Sequence, residues 1–232
     1  MRASRPGRAA DQGTGERLFV YDRPMQLVAQ RSLFAHTVAE PAIDPLALAG
    51  ASRWQLDRWS WIDIVTGFVS GADAVFDTLI DGVQWRTTDR WMYDRMVAEP
   101  RLHGRPPHLP VLNGARRALQ VHYGESFDRG ACNLYRDGAD SVAWHGDRIR
   151  NRRRHSVVAV ISFGELRPFL VRSAGGGRTH RFCPGSGDLI VMGGACQRDW
   201  EHTVPKVRSA GARISVTFRS RAAVVDSASW AR

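Results

Sequence analysis

Lysine is almost missing from this chain: of 33 Lys and Arg residues, Lys206 is the only lysine. That imbalance reads as the coding bias of a GC-rich genome more than as a function. Cysteine is scarce too. Cys132, Cys183 and Cys196 are odd in number and form no C-x-x-C pair, which excludes a disulfide framework and points to reduced thiols in a reducing compartment. No apolar run approaches the roughly 20 residues that span a bilayer. The opening MRASRPGRAADQGTGER lacks the apolar stretch of a secretory signal, and Asp11 and Glu16 count against a transit peptide. Residues 1–24 are therefore expected to form a disordered basic tail. The expected protein is a monomer with no membrane association, cytoplasmic, and nucleoid-associated if bacterial. The chain holds no internal repeat.

What is present is ordinary globular material with an unusual charge. At 232 residues, 43% hydrophobic and 9% aromatic, the chain suits one domain with extensions or two small ones. Its formal net charge of +10 favours a polyanionic partner, because neutralising phosphates releases counterions.

Two helices stand out. From Ser70 to Val83 the apolar residues Ala72, Val75, Phe76, Leu79, Ile80 and Val83 recur at i, i+3, i+4 spacing, with Ser70 and Asp73 as a capping box. Pro110 to His122 reads as a second helix, with proline in its first turn and Gly124 past its end. Between them, Trp85 to Pro107 is rich in Pro, Arg and aromatics and shows no clean period. From Ala131 onward the pattern changes to short β-branched or apolar runs at Ala131–Tyr135, Ser156–Phe163, Pro168–Val171, Leu189–Met192 and Arg213–Arg219. Glycine-rich turns separate them, which suggests a sandwich or jelly roll. The expected class is α+β, mainly β. A helical support and lid over 25–124 would precede a β core over 125–221, with a tail over 222–232.

His145-Gly146-Asp147 puts two ligand-type side chains at i and i+2, on the same side of an extended strand. His202, in Trp200-Glu201-His202-Thr203-Val204-Pro205, can supply a third. Two histidines and one carboxylate make the facial triad of non-haem Fe(II) oxygenases, although zinc accepts the same ligands. The strand Arg213-Ile214-Ser215-Val216-Thr217-Phe218-Arg219 weighs for iron. Its apolar residues alternate with two arginines and two hydroxyls, about 20 Å separating the arginines at ~3.3 Å per residue. A dicarboxylate lying along that face would meet one arginine toward each end.

These residues, together with Asn133-Leu134-Tyr135 and Gly138, resemble the AlkB family of Fe(II)- and 2-oxoglutarate-dependent dioxygenases in order and separation, over about Ala131 to Arg219. The resemblance implies a double-stranded β-helix in which His145, Asp147 and His202 bind Fe(II). It also implies that Asn133 and Tyr135 hydrogen-bond 2-oxoglutarate, that Arg213 and Arg219 pair with its carboxylates, and that O2 is the co-oxidant. The implied reaction is oxidative demethylation of N-alkylated bases in DNA or RNA, releasing formaldehyde, succinate and CO2.

A base inside a duplex must be flipped to reach buried iron. The stretch from Trp85 to Tyr93, with Arg101 beyond it, looks like the nucleotide-recognition lid of that family, and Trp85 and Tyr93 offer faces for stacking. Arg148, Arg150, Arg152, Arg153 and Arg154 follow the metal aspartate and would contact phosphates from the mouth of the site. Where DNA-repairing relatives often carry an acidic residue directly after that aspartate, this sequence has Arg148 and Ile149, which leaves base preference open. Two other readings remain at this point: an oxygenase acting on protein or a small molecule, and a non-catalytic nucleic-acid-binding β-helix protein.

Overall fold

A computed structural model describes residues 16–18, 40–92, 95–146 and 155–221. In chain order the strands and helices are β1 (Glu16–Leu18), β2 (Ala42–Ile43), β3 (Ser52–Gln55), β4 (Ser60–Val65), β5 (Val69–Ser70), α1 (Ala72–Gly82), β6 (Arg86–Met92), β7 (Arg95–Ala98), β8 (Leu102–Gly104) and α2 (Pro110–Tyr123). The second half holds β9 (Ala131–Tyr135), β10 (Val142–His145), β11 (Val158–Gly164), β12 (Phe169–Ser173), β13 (Thr179–Phe182), β14 (Leu189–Gly194), the single turn α3 (Cys196–Asp199), β15 (Trp200–Val204) and β16 (Arg213–Arg219).

Among the described residues the strands form a ten-stranded sheet ordered β1-β6-β8-β9-β16-β11-β14-β4-β3, with β7 on β6, and a four-stranded sheet ordered β10-β15-β12-β13. Every pairing between them is antiparallel. This is the mainly β jelly roll expected from the short strands and glycine turns. The large sheet is covered on both faces, which is why β11 and β14 read as unbroken apolar runs rather than alternating ones. On β11, Ala159, Ile161 and Phe163 face the helices, while Val158 and Val160 join Phe169, Val171 and Met192 between the sheets. Ile214, Val216 and Phe218 of β16 pack on the helical side.

Both helices lie on that outer face. Val75, Phe76 and Leu79 of α1 and Leu112, Ala115 and Leu119 of α2 are buried in one core with β11 and β16. The capping box expected at Ser70 does not form. Ser70 is spent in β5, paired with Ala42, and Gly71 takes the cap position at φ 63, with no side chain bonded to the helix end. A left-handed backbone suits glycine, and it places the serine a residue too early to cap. Gly124 closes α2 at φ 65 as read from the sequence.

The N-terminal half also contributes strands. The β3–β4 hairpin extends the large sheet beyond β14, and β6, β7 and β8 occupy the stretch that shows no period. The three-residue β8 is held by pairing with a distant strand, Leu102 opposite Leu134, so local spacing carries little sign of it.

Candidate functional site

The two sheets enclose a cavity of about 840 Å³, and β9 with β16 makes one wall. Asn133 stands opposite Ser215 and Tyr135 opposite Arg213, so strand alternation turns Asn133, Tyr135, Arg213, Ser215, Thr217 and Arg219 toward the same space. Arg213 is 1% exposed. Its Nη2 donates to Ser162 Oγ at 2.8 Å, but Nε and Nη1 have no hydrogen-bond partner. Burial pushes its guanidinium below the usual arginine value, and Arg167 adds to that push. An arginine nevertheless stays protonated in a protein. A buried cation with two unsatisfied donors and no carboxylate against it among the described residues is costly. The arrangement suits an anionic ligand that takes up those donors.

The facing wall comes from the small sheet. His145 on β10 and His202 on β15 are direct cross-strand partners, which brings their rings to 4.3 Å between centroids. Phe169 stacks on His202 at 5.3 Å. The His145 Nδ1 lies 2.8 Å from the Ala143 carbonyl oxygen. That oxygen can only accept, so Nδ1 carries the proton of the neutral ring and Nε2 keeps its lone pair for a metal. Gly146 follows. A Cβ there would stand 2.6 Å from the Gln197 carbonyl oxygen, so only glycine lets the chain pass α3 at this point. Two imidazoles fixed side by side fit two of the three positions of the expected triad. Asp147 lies outside the described residues, as do Tyr93, Arg148, Arg152 and Arg154. No set of three candidate ligands occurs among the described residues.

Three features in or beside the cavity escaped the sequence reading: the buried Arg167, the Arg136–Asp140 pair and Glu99. Arg167 is fully buried and donates to the carbonyl oxygens of Asp137, Asp140 and Pro205, tying the turn after β9 to the turn after β15. In a chain this rich in arginine, nothing local marks one as buried. The same turn is closed by Arg136, which forks Asp140. Burial raises the Asp140 carboxyl, but the Arg136 contacts hold it below the ordinary carboxylate value. Glu99 lines the cavity itself, together with Lys206.

Two of the residues read as nucleic-acid contacts are placed differently from that expectation. Trp85 is 3% exposed, sits in the core against the helices and donates its indole N–H to the Ile80 carbonyl at 3.0 Å, so it offers no face for stacking on a base. Its position before the arginine-rich β6 suggested a surface role, but burying a large ring with its one donor satisfied wins. Trp85→Ala is expected to destabilise the fold by about 3–5 kcal/mol in denaturant titration. Nucleic-acid affinity, measured on the protein still folded, should stay within twofold. Arg101 faces inward rather than out to a phosphate. Its Nε donates to Asn133 Oδ1 at 3.2 Å, and its Nη2 lies 3.1 Å from Glu99 Oε2.

The model of the 2OG-Fe(II) oxygenase superfamily matches residues 74–219. The chain is 31% identical to the alpha-ketoglutarate-dependent dioxygenase alkB homolog 3 of Bos taurus, over 93% of this chain and 84% of that protein. It is 30% identical to the DNA oxidative demethylase ALKBH2 of Arabidopsis thaliana, over 49% of this chain and 43% of that one. Among solved structures, a prolyl hydroxylase from Trichoplax adhaerens shares the fold alone, with a TM-score of 0.51, 10% identity, and 68% of this chain and 82% of that one covered. The chain belongs to the AlkB family of 2-oxoglutarate- and Fe(II)-dependent dioxygenases. It is accordingly an oxidoreductase that works with Fe(II), 2-oxoglutarate and O2.

Proposed function

We propose that this dioxygenase removes N-alkyl groups from bases in DNA or RNA. In this reading His145, Asp147 and His202 hold the Fe(II), and Asn133, Tyr135, Arg213 and Arg219 hold 2-oxoglutarate. The observation that carries it is the pairing, within one cavity, of two fixed imidazoles with a buried guanidinium that has two unpartnered donors. Fe(II) with 2-oxoglutarate and O2 supplies an oxidant that hydroxylates the N-methyl carbon, the keto acid becoming succinate and CO2; the hydroxymethyl base then sheds formaldehyde.

The chain's own contribution is placement. Arg213 would fork one carboxylate of the dianion, and Arg219, six residues along the same face, would pair with the other. Asn133 and Tyr135, on the neighbouring strand, offer hydrogen bonds along its length. Ala143 holds the His145 ring, and Phe169 the His202 ring, in one orientation. Val160, Phe169 and Val204 keep the inner end apolar. A flipped base would enter from the side where Glu99, Pro100 and Arg101 stand.

The net charge of +10 and the arginines from Arg148 to Arg154 support a nucleic-acid partner over a protein or small-molecule substrate. Mass spectrometry of oligonucleotides carrying 1-methyladenine or 3-methylcytosine, incubated with and without 2-oxoglutarate, tests the reaction. Demethylation only in its presence supports the reading, and none in either condition overturns it. For binding, Arg152→Ala with Arg154→Ala should weaken affinity and lower the slope of log Kd against log salt by about 1–2, since each phosphate contact contributes roughly 0.7–0.9. A slope identical to that of the wild type would remove these arginines from the interface.

A further inference from the structure

We infer that Glu99 is a specificity-determining residue that reads the charge of the target base, an inference that rests on the demethylase reading above. Among the described residues of the cavity wall it is the only carboxylate, against four cations, Arg101, Lys206, Arg213 and Arg219. The arginines that follow Asp147 add no negative charge, for the run from Arg148 to Arg154 contains no acid.

Glu99 is also built in. Its side chain is 13% exposed, and its Oε2 lies 3.1 Å from Arg101 Nη2. The backbone holds the segment on both sides. Glu99 N–H donates to the Thr88 carbonyl of β6 at 2.8 Å, and Ser141 N–H donates to the Pro100 carbonyl at 2.7 Å. Arg101 in turn donates through Nε to Asn133 Oδ1 at 3.2 Å. An arginine can only donate, so that bond identifies the amide oxygen and leaves the Asn133 N–H₂ to the rest of the cavity. One guanidinium thus positions both a carboxylate and an amide on the wall of the cavity.

The chemistry of the base decides what such a carboxylate does. Methylation at N1 of adenine or N3 of cytosine gives a cationic ring bearing an exocyclic amine. Methylation at N3 of thymine leaves a neutral ring with a carbonyl oxygen on each side of the methyl group. A carboxylate accepts from the amine and attracts the cation, and it repels a carbonyl. With the 2-oxoglutarate dianion set against Arg213 and Arg219, Glu99 tips the wall toward the cationic class.

The test compares kcat/KM on single-stranded oligonucleotides carrying 1-methyladenine and 3-methylthymine, for wild type, Glu99→Gln and Glu99→Asp, with 2-oxoglutarate binding measured by calorimetry alongside. Glu99→Gln should lower the ratio of 1-methyladenine to 3-methylthymine activity by roughly tenfold or more, the loss of one charge-assisted hydrogen bond. Glu99→Asp should keep at least half of the wild-type ratio, and both variants should bind 2-oxoglutarate within threefold of wild type. An equal fall on both bases, or an unchanged ratio, would overturn the role of Glu99 and leave the demethylase reading standing. Wild-type protein that demethylates neither oligonucleotide would overturn both.

Discussion

Arg213→Met is expected to leave a protein that melts at or above the wild-type temperature and no longer responds to 2-oxoglutarate. Arg213 is 1% exposed, with two donors unsatisfied, so without an anionic ligand it is an uncompensated buried charge. Replacing such a charge with an apolar side chain of similar length is neutral or stabilising by about 1–4 kcal/mol. Methionine also fills the same volume between Ser162 and Tyr135 without strain, being flexible. The cost falls on the cosubstrate. Losing a buried, bidentate partner removes about 3–5 kcal/mol, which lowers kcat/KM for 2-oxoglutarate by roughly 150- to 5000-fold. Thermal melts separate these effects. At a hundred times its Kd, 2-oxoglutarate should stabilise the wild type by about 2.7 kcal/mol and the variant by almost nothing. Equal stabilisation of both would place the carboxylate elsewhere.

The second large effect is at the opposite wall. His202→Ala should lower turnover by at least about 1000-fold, since two remaining ligands do not fix a metal in an open facial site. His202 is buried between Phe169 and the His145 ring, so the variant also leaves a small cavity. The diagnostic is therefore metal content. Iron per chain should fall well below one, while affinity for a methylated oligonucleotide stays within threefold. Full iron occupancy with lost turnover would assign His202 a role other than ligand.

Much of this site was legible because β-strands alternate. Arg213 to Arg219 could be divided into a packed face and a cavity face from the sequence alone, and the structure divides it the same way. His202 could be named as a third ligand from its residue type, but its juxtaposition with His145, 57 residues earlier, is made by the antiparallel register of β10 and β15. Trp85 was misplaced, since an aromatic beside arginines looks the same whether it faces solvent or a helix. Arg167 and Glu99 were invisible for a related reason. Burial of a charged side chain depends on carbonyls and partners supplied by distant turns, and those have no local signature. The β8 strand is similarly defined by its long-range pairing with β9.

The account depends on both walls of one cavity serving one reaction on a methylated base. The most direct test quantifies succinate and demethylated base in the same reaction, with wild-type protein, Fe(II), 2-oxoglutarate and a 1-methyladenine oligonucleotide, beside Asp147→Ala. The wild type should form the two products in near-equal amounts, and Asp147→Ala should form neither while still binding the oligonucleotide. Demethylation that persists in Asp147→Ala, or succinate formed by the wild type with the base left intact, would contradict it.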